Sequence, residues 1–299
     1  MASSQESVDS RDLLASGSRL PAPGYSPHGI VTPMIKVCLA GATGWMGKPL
    51  SAAISRASDM ELVGAVSRTY AGWRLGEVLG EPEVGVTVSG SVAEALETPT
   101  GVMVDYTKAD AVRTNVLEAV SRGVHVVVGS SGLTTDDYAE IDRLAREKGV
   151  GVVAVGNFAI TAALLQRFAC EAARYLSHWE VVDYASAKKV DAPSGTAREL
   201  ANRLSEIKAP KVEVPVEETV GLPESRGAEL DGNRVHAVRL PGYTIGVEAL
   251  FGADDERLTI RYDAGPGAEP YIPGTLLAIR KVGGYVGLVR GLDRIMDWG

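Results

Sequence analysis

Three short stretches of the chain carry residue types suited to binding anions. Gly41-Ala42-Thr43-Gly44-Trp45-Met46-Gly47 is a GxxGxxG run that closes the apolar segment IKVCLAG and opens a helical stretch. Glycines there permit a tight turn and a close backbone approach to a pyrophosphate, whose charge would sit on the free N–H groups of the helix start. The second apolar run ends in Ser67-Arg68, a small hydroxyl beside a guanidinium. That pair suits the 2′-phosphate of NADPH, whereas an acid at this point would grip the ribose hydroxyls of NADH; NADH stays open as a second cofactor. Farther on, Ser194-Gly195-Thr196 follows Pro193 and begins another helical stretch, five residues after Lys189. Two hydroxyls, unpaired N–H groups and a full positive charge make a trap for a carboxylate. Each motif has a plainer alternative: a structural turn, a solvated arginine, and a helix cap over Asp191-Ala192-Pro193-Ser194 with Lys189 as a surface charge.

The elements that must position these residues follow from periodicity. Short apolar runs at 35–41, 61–67, 84–88, 101–107, 125–131 and 151–157 alternate with helical stretches near 46–57, 91–96, 109–122 and 135–148. Alternation of this kind builds a parallel sheet from βαβ units, and runs apolar on both faces, such as Val126 to Val128, require helices on both sides. After Asn157 a long helix at 160–176 leads into strand-like segments at 179–184, 211–217, 234–240, 245–251 and 257–263, with one more helix at 195–207. The expected fold is therefore α/β: a Rossmann-type dinucleotide domain over 34–157, a smaller α+β domain with a mostly antiparallel sheet over 158–267, and a segment 268–299 returning to the first domain. Residues 1–33, rich in Ser, Pro and Gly, read as a disordered extension, and Glu6, Asp9 and Asp12 speak against a transit peptide.

Composition narrows the partners. A formal charge of −8 disfavours nucleic acid and anionic membrane surfaces, and the longest apolar runs fall short of a bilayer span. Two cysteines, Cys38 and Cys170, give neither a disulfide framework nor a thiolate metal site, and His28, His125, His178 and His236 show no metal-ligand spacing with one another. A small ligand, no metal and a reducing cytoplasm are expected.

GATGWMG at 41–47, VDYT at 104–107, GSSG at 129–132, GNFAI at 156–160 and, above all, KVDAPSGTA at 189–197 occur in an order that resembles the dihydrodipicolinate reductase family. The resemblance implies a homotetramer that passes a hydride from a nicotinamide to a small carboxylate-bearing cyclic imine. It places Thr107, Gly129, Asn157 and Phe158 at the cofactor with the phosphate loop, and Ser131 near both cofactor and substrate. Lys189, Ser194, Gly195 and Thr196, with Ser186, would hold the substrate.

The family carries Glu-x-His-His-x-x-Lys before DAPSGTA, its first histidine being the proton donor; here the stretch is Asp183-Tyr184-Ala185-Ser186-Ala187-Lys188-Lys189. Both histidines are absent, and Trp45 stands where the phosphate loop often has arginine. If the chain stayed extended, Ala185 and Lys189 would share one side while Tyr184 and Lys188 shared the other. Lys189 is then the leading catalytic group and Tyr184 the runner-up donor. Loss confined to the pocket suggests an NADPH-dependent imine reductase with a changed substrate. An authentic 4-hydroxy-tetrahydrodipicolinate reductase with another proton donor and a non-catalytic NADP-binding sensor are the alternatives.

Overall fold

The computed structural model describes residues 34–298; the expected N-terminal extension lies outside the described residues. β1 (Ile35–Ala40), α1 (Gly47–Arg56), β2 (Met60–Val66), a short α2 (Leu75–Leu79), β3 (Val88–Ser89), α3 (Val92–Ala95), β4 (Val102–Asp105), α4 (Val112–Ser121), β5 (His125–Val128), α5 (Thr135–Lys148) and β6 (Gly151–Ala154) follow one another. Then come α6 (Ile160–Tyr175), β7 (His178–Ala185), α7 (Gly195–Ser205), β8 (Ala228–Leu230), β9 (Asn233–Arg239), β10 (Ile245–Ala253), β11 (Glu256–Ala264), α8 (Ile272–Lys281) and β12 (Gly287–Arg290).

The first six strands and β12 form one sheet in the order β12-β6-β5-β4-β1-β2-β3, with every pairing parallel. Alternate residues of its strands feed two cores, as the period of a strand requires. Val37, Leu39, Val104, Val127 and Val153 meet Leu50 and Ile54 of α1 and Ala278 and Ile279 of α8 on one face. Cys38, Ala40, Met103, Val126 and Val152 meet Val112 and Val116 of α4 and Ile141 and Ala145 of α5 on the other. Burial pushes the Cys38 thiol up to about 12, which leaves it an inert part of that core. Because β1 lies between β4 and β2, the connections leave in opposite directions there, and the crevice beyond the strand ends is where such sheets bind ligands.

The remaining strands form a second sheet, β11-β10-β7-β9-β8, antiparallel except for the β7–β9 pair. Trp179 and Val181 of β7 pack with Leu165 and Ala169 of α6 and Leu200 and Leu204 of α7. The even-numbered residues of β7 turn to the other face. Among the described residues no helix is long and apolar enough to cross a membrane.

The structure departs from the expected elements at several points. No strand forms over 211–217: charged and proline-flanked, it reaches only a single 3-10 turn at Val216–Glu218. The strand expected at 84–88 shrinks to Val88–Ser89, because the N–H of Val84 turns back onto the Glu81 carbonyl and that of Gly76 onto the Val84 carbonyl. Short elements with little periodicity, α2, β8 and β12, carry no clear sequence signal.

Candidate active site

The glycine run forms the turn between β1 and α1. Gly41 has φ +86°, and a Cβ there would lie 2.3 Å from the Tyr106 carbonyl oxygen. A Cβ on Gly47 would lie 2.0 Å from the Gly41 oxygen, so side chains are excluded at both ends of the loop. Among the described residues, the N–H groups of Trp45, Met46 and Gly47 have no protein acceptor, and the first turn of α1 has no acidic residue. This cradle fits a dinucleotide pyrophosphate. At the adjoining end of β2, Ser67 Oγ lies 2.8 Å from Thr43 Oγ1, and Arg68 is exposed, 3.4 Å from Asp110.

Asp105, buried at the end of β4, organises the neighbouring loops. It accepts from the Thr107 N–H and hydroxyl at 3.0 and 2.7 Å, from Ser130 Oγ at 2.6 Å and from Asn115 Nδ2 at 2.8 Å. Thr107 is thus turned onto Asp105, and Ser130, which sequence reasoning passed over, fixes the loop that carries Gly129 and Ser131. A cavity of ≈ 360 Å³ opens beside this loop, between Trp45, Met46, Tyr106, Gly129, Asn157, Phe158, Thr196 and Tyr271. Tyr106 anchors its floor through a 2.7 Å bond to Thr275 Oγ1, and burial pushes its phenol above the ordinary range. Asn157 holds the turn before α6, accepting from the Ala159 N–H at 2.9 Å, and reaches Thr196 Oγ1 at 3.3 Å. The first sheet's loops and the start of α7 therefore meet at this cavity.

Ser194 itself lines neither cavity. Fully buried, it donates its N–H and hydroxyl to Asp183 at 2.7 and 2.6 Å, and its oxygen caps the Ala197 N–H. Asp183 also takes Arg239 Nη2 at 2.7 Å, and Arg239 reaches back to the Asp191 carbonyl. This cluster around buried Asp183 fixes the turn. It leaves the Gly195 and Thr196 N–H groups without a protein acceptor among the described residues. A second cavity of ≈ 820 Å³ joins the first at Gly129 and Gly156 and is lined by Ser131, Gly195, Arg198, Glu199 and Arg290, among others.

Lys189 lines neither cavity; it is paired with Asp191 at 2.8 Å and holds that carboxyl below its usual range. β7 ends at Ala185, and the chain turns with the Lys189 N–H on the Ser186 carbonyl, so the extended-chain parity expected for Lys189 does not hold. Ser186 accepts from the Lys188 N–H within that turn. Tyr184 is not brought to either cavity. It lies on the outer face of the second sheet, donating to Glu248 Oε2 at 2.9 Å under the Arg261 guanidinium, and burial with that bond raises its phenol. His125 Nδ1 accepts from the Gly151 N–H, while His178 and His236 pair with Glu213 and Glu180; all three lie outside the cleft.

A parallel sheet with a glycine cradle at its switch point, met at one cavity by the start of α7 with its free N–H groups, has the architecture of a dinucleotide-dependent oxidoreductase. Residues 35–158 match the family model for the N-terminus of dihydrodipicolinate reductase and residues 161–296 the model for its C-terminus. The 4-hydroxy-tetrahydrodipicolinate reductase of Desulfitobacterium hafniense is 39% identical over 265 residues, covering 88% of this chain and 99% of that relative. The enzyme of the same name from Moorella thermoacetica is 37% identical over 266 residues, covering 88% and 98%. The dipicolinate-bound dihydrodipicolinate reductase of Paenisporosarcina sp. TG-14 superposes with a TM-score of 0.75 at 29% identity, covering 88% of this chain and all of that one. An amine dehydrogenase of Mycobacterium smegmatis, 17% identical with a TM-score of 0.61, shares the fold. The chain belongs to the dihydrodipicolinate reductase family and is an NAD(P)H-dependent oxidoreductase.

Proposed function

We propose that the chain reduces the C=N bond of a small, cyclic, carboxylate-bearing imine with NADPH, the compound named by its relatives, 4-hydroxy-tetrahydrodipicolinate, being the first substrate to test. The observation that carries this reading is the meeting, in one cleft, of the glycine cradle with the free N–H groups of Gly195 and Thr196. The cofactor, when bound, supplies the hydride. The protein's part is to hold the pyrophosphate on the Gly41–Gly47 turn, the 2′-phosphate at Ser67 and Arg68, and the nicotinamide near Gly129, Ser131, Asn157 and Phe158. The substrate carboxylate rests on Gly195, Thr196 and Lys189, where N–H groups and one ammonium stabilise it. Ser194 acts behind them by fixing the turn, and Ser186 by shaping the loop that ends in Lys189. A homotetramer, formed through the outer face of the second sheet that no described helix covers, completes the reading.

A second reading, a related imine with a different ring or side group, draws support from Ala185-Ser186, where the family carries its histidines. NADPH oxidation measured with 4-hydroxy-tetrahydrodipicolinate and a panel of other cyclic imino acids separates the two. Cofactor choice is tested by calorimetric titration. NADPH should bind at least about tenfold more tightly than NADH, and Arg68→Ala should erase most of that difference. Equal affinities in the unaltered protein would refute the assignment of Arg68.

A further inference from the structure

One titratable side chain in the cleft has no role in the binding scheme above. Glu199 stands on α7 four residues beyond Gly195, on the same face of that helix. Both residues line the larger cavity, and the Glu199 carboxyl lies between Arg203, Gln166 of α6 and Gly156. Its Oε2 packs against the backbone of Gly156, so closely that a Cβ there would lie 2.6 Å away. Gly156 lines both cavities, the one beside Asn157 and Phe158 and the one holding Ser131 and Gly195. Glu206, the other carboxyl on the larger cavity, caps the far end of α7.

The groups around Glu199 come from every packed element. Arg203, one turn along α7, approaches Oε1 at 3.8 Å but is itself engaged by buried Asp293 at 2.6 Å. Arg290 at the end of β12, Tyr138 of α5 and buried Gln166 of α6 complete the surroundings, with Arg198 beside it on the cavity wall. Burial pushes the Glu199 carboxyl above its ordinary range, against the lowering pull of Arg203. A carboxylic acid that keeps its proton closer to neutral pH is what an imine nitrogen needs beside it.

We propose that Glu199 is the acid that hydrogen-bonds the C=N nitrogen and protonates it as the carbon is reduced. The inference rests on the imine-reductase reading. The imine carbon gains a C–H bond with two electrons from the dihydronicotinamide, and the π pair moves onto nitrogen. The nitrogen forms its N–H bond with the Glu199 proton, and the carboxylate regains a proton from water. The donor thus comes from α7, while the Ala185-Ser186 position that holds histidines in the family carries none.

Glu199→Gln and Glu199→Asp, each with a full chain, test this against the unaltered protein. Glu199→Gln should lower kcat about a hundredfold or more, leave NADPH affinity unchanged and abolish the fall of kcat as pH rises through the glutamate's pKa. Glu199→Asp, which keeps the acid but shortens it, should retain that alkaline limb with turnover reduced more than about tenfold. Dipicolinate serves as a probe independent of turnover. Its binding to the unaltered protein should weaken as pH rises and Glu199 ionises, and become flat with pH in Glu199→Gln. The amide should also raise the melting temperature at neutral pH, since a carboxyl with a raised pKa costs stability above that pKa and nothing below its unfolded value. Wild-type turnover and pH profile in Glu199→Gln, or unchanged kcat in a folded Glu199→Asp, would overturn the role of Glu199 while leaving the reductase intact. An unaltered protein that reduces no imine would overturn both.

Discussion

Lys189 and Tyr184 are adjacent in sequence terms yet face different surroundings. Lys189 shares its charge with Asp191, in the stretch that leads into the Gly195-Thr196 turn, and a substrate carboxylate bound as proposed would compete with Asp191 for it. Lys189→Ala should raise KM and lower kcat/KM by more than about tenfold, roughly 1.4 kcal/mol of transition-state stabilisation. Tyr184 spends its hydroxyl on Glu248 on the far face of the sheet. Tyr184→Phe should therefore change kcat/KM by no more than about twofold. Steady-state kinetics of both variants decide the matter, and loss of turnover in Tyr184→Phe with normal kinetics in Lys189→Ala would reverse the assignment. The surroundings of Lys189 and Tyr184 were hard to read from sequence because side-chain direction depended on where β7 stopped. Glu199 was hidden for a related reason: nothing in a helical repeat says which polar residue overlooks a ligand and which overlooks water.

At the scale of elements, the glycine cradle and the Asp183 cluster each fix one wall of the cleft. Gly47→Ala would drive a methyl group into the Gly41 carbonyl, so it should weaken NADPH binding by at least about tenfold or force the loop to move, as calorimetry would show. Asp183→Ala removes the acceptor of two Ser194 bonds and leaves the largely buried Arg239 without its carboxylate partner. A loss of roughly 3–5 kcal/mol in denaturant stability is expected from breaking such a buried pair. Denaturant stability unchanged by Asp183→Ala would show that the turn holds without it. The βαβ units and the SGT helix start were legible because buried strands and helix caps obey strong local rules. The segment 211–217 misled because alternation alone cannot tell a strand from an irregular loop when prolines flank it. β12 escaped notice for the opposite reason: its four residues gain their place from pairing with β6, a contact distant in sequence.

For the whole molecule, residues 34–298 contain both sheets and the apolar cores on which they rest. A chain lacking residues 1–33 should keep its melting temperature and NADPH affinity, and a truncated protein that aggregates or melts well below the full chain would contradict this. The two sheets are also tied through α7 and the segment after β12, where Arg203 meets Asp293 in a largely buried ion pair. That link, with the Asn157–Thr196 contact, holds the loop at Asn157 and the Gly195-Thr196 turn together at one cleft. The most direct test is the rate of NADPH oxidation by the full chain in the presence of 4-hydroxy-tetrahydrodipicolinate and, separately, other cyclic imino acids. Oxidation that depends on one of these imines, saturates with it and exceeds the NADH rate in kcat/KM is the predicted result; a protein that binds NADPH but oxidises it with none of them would contradict the account.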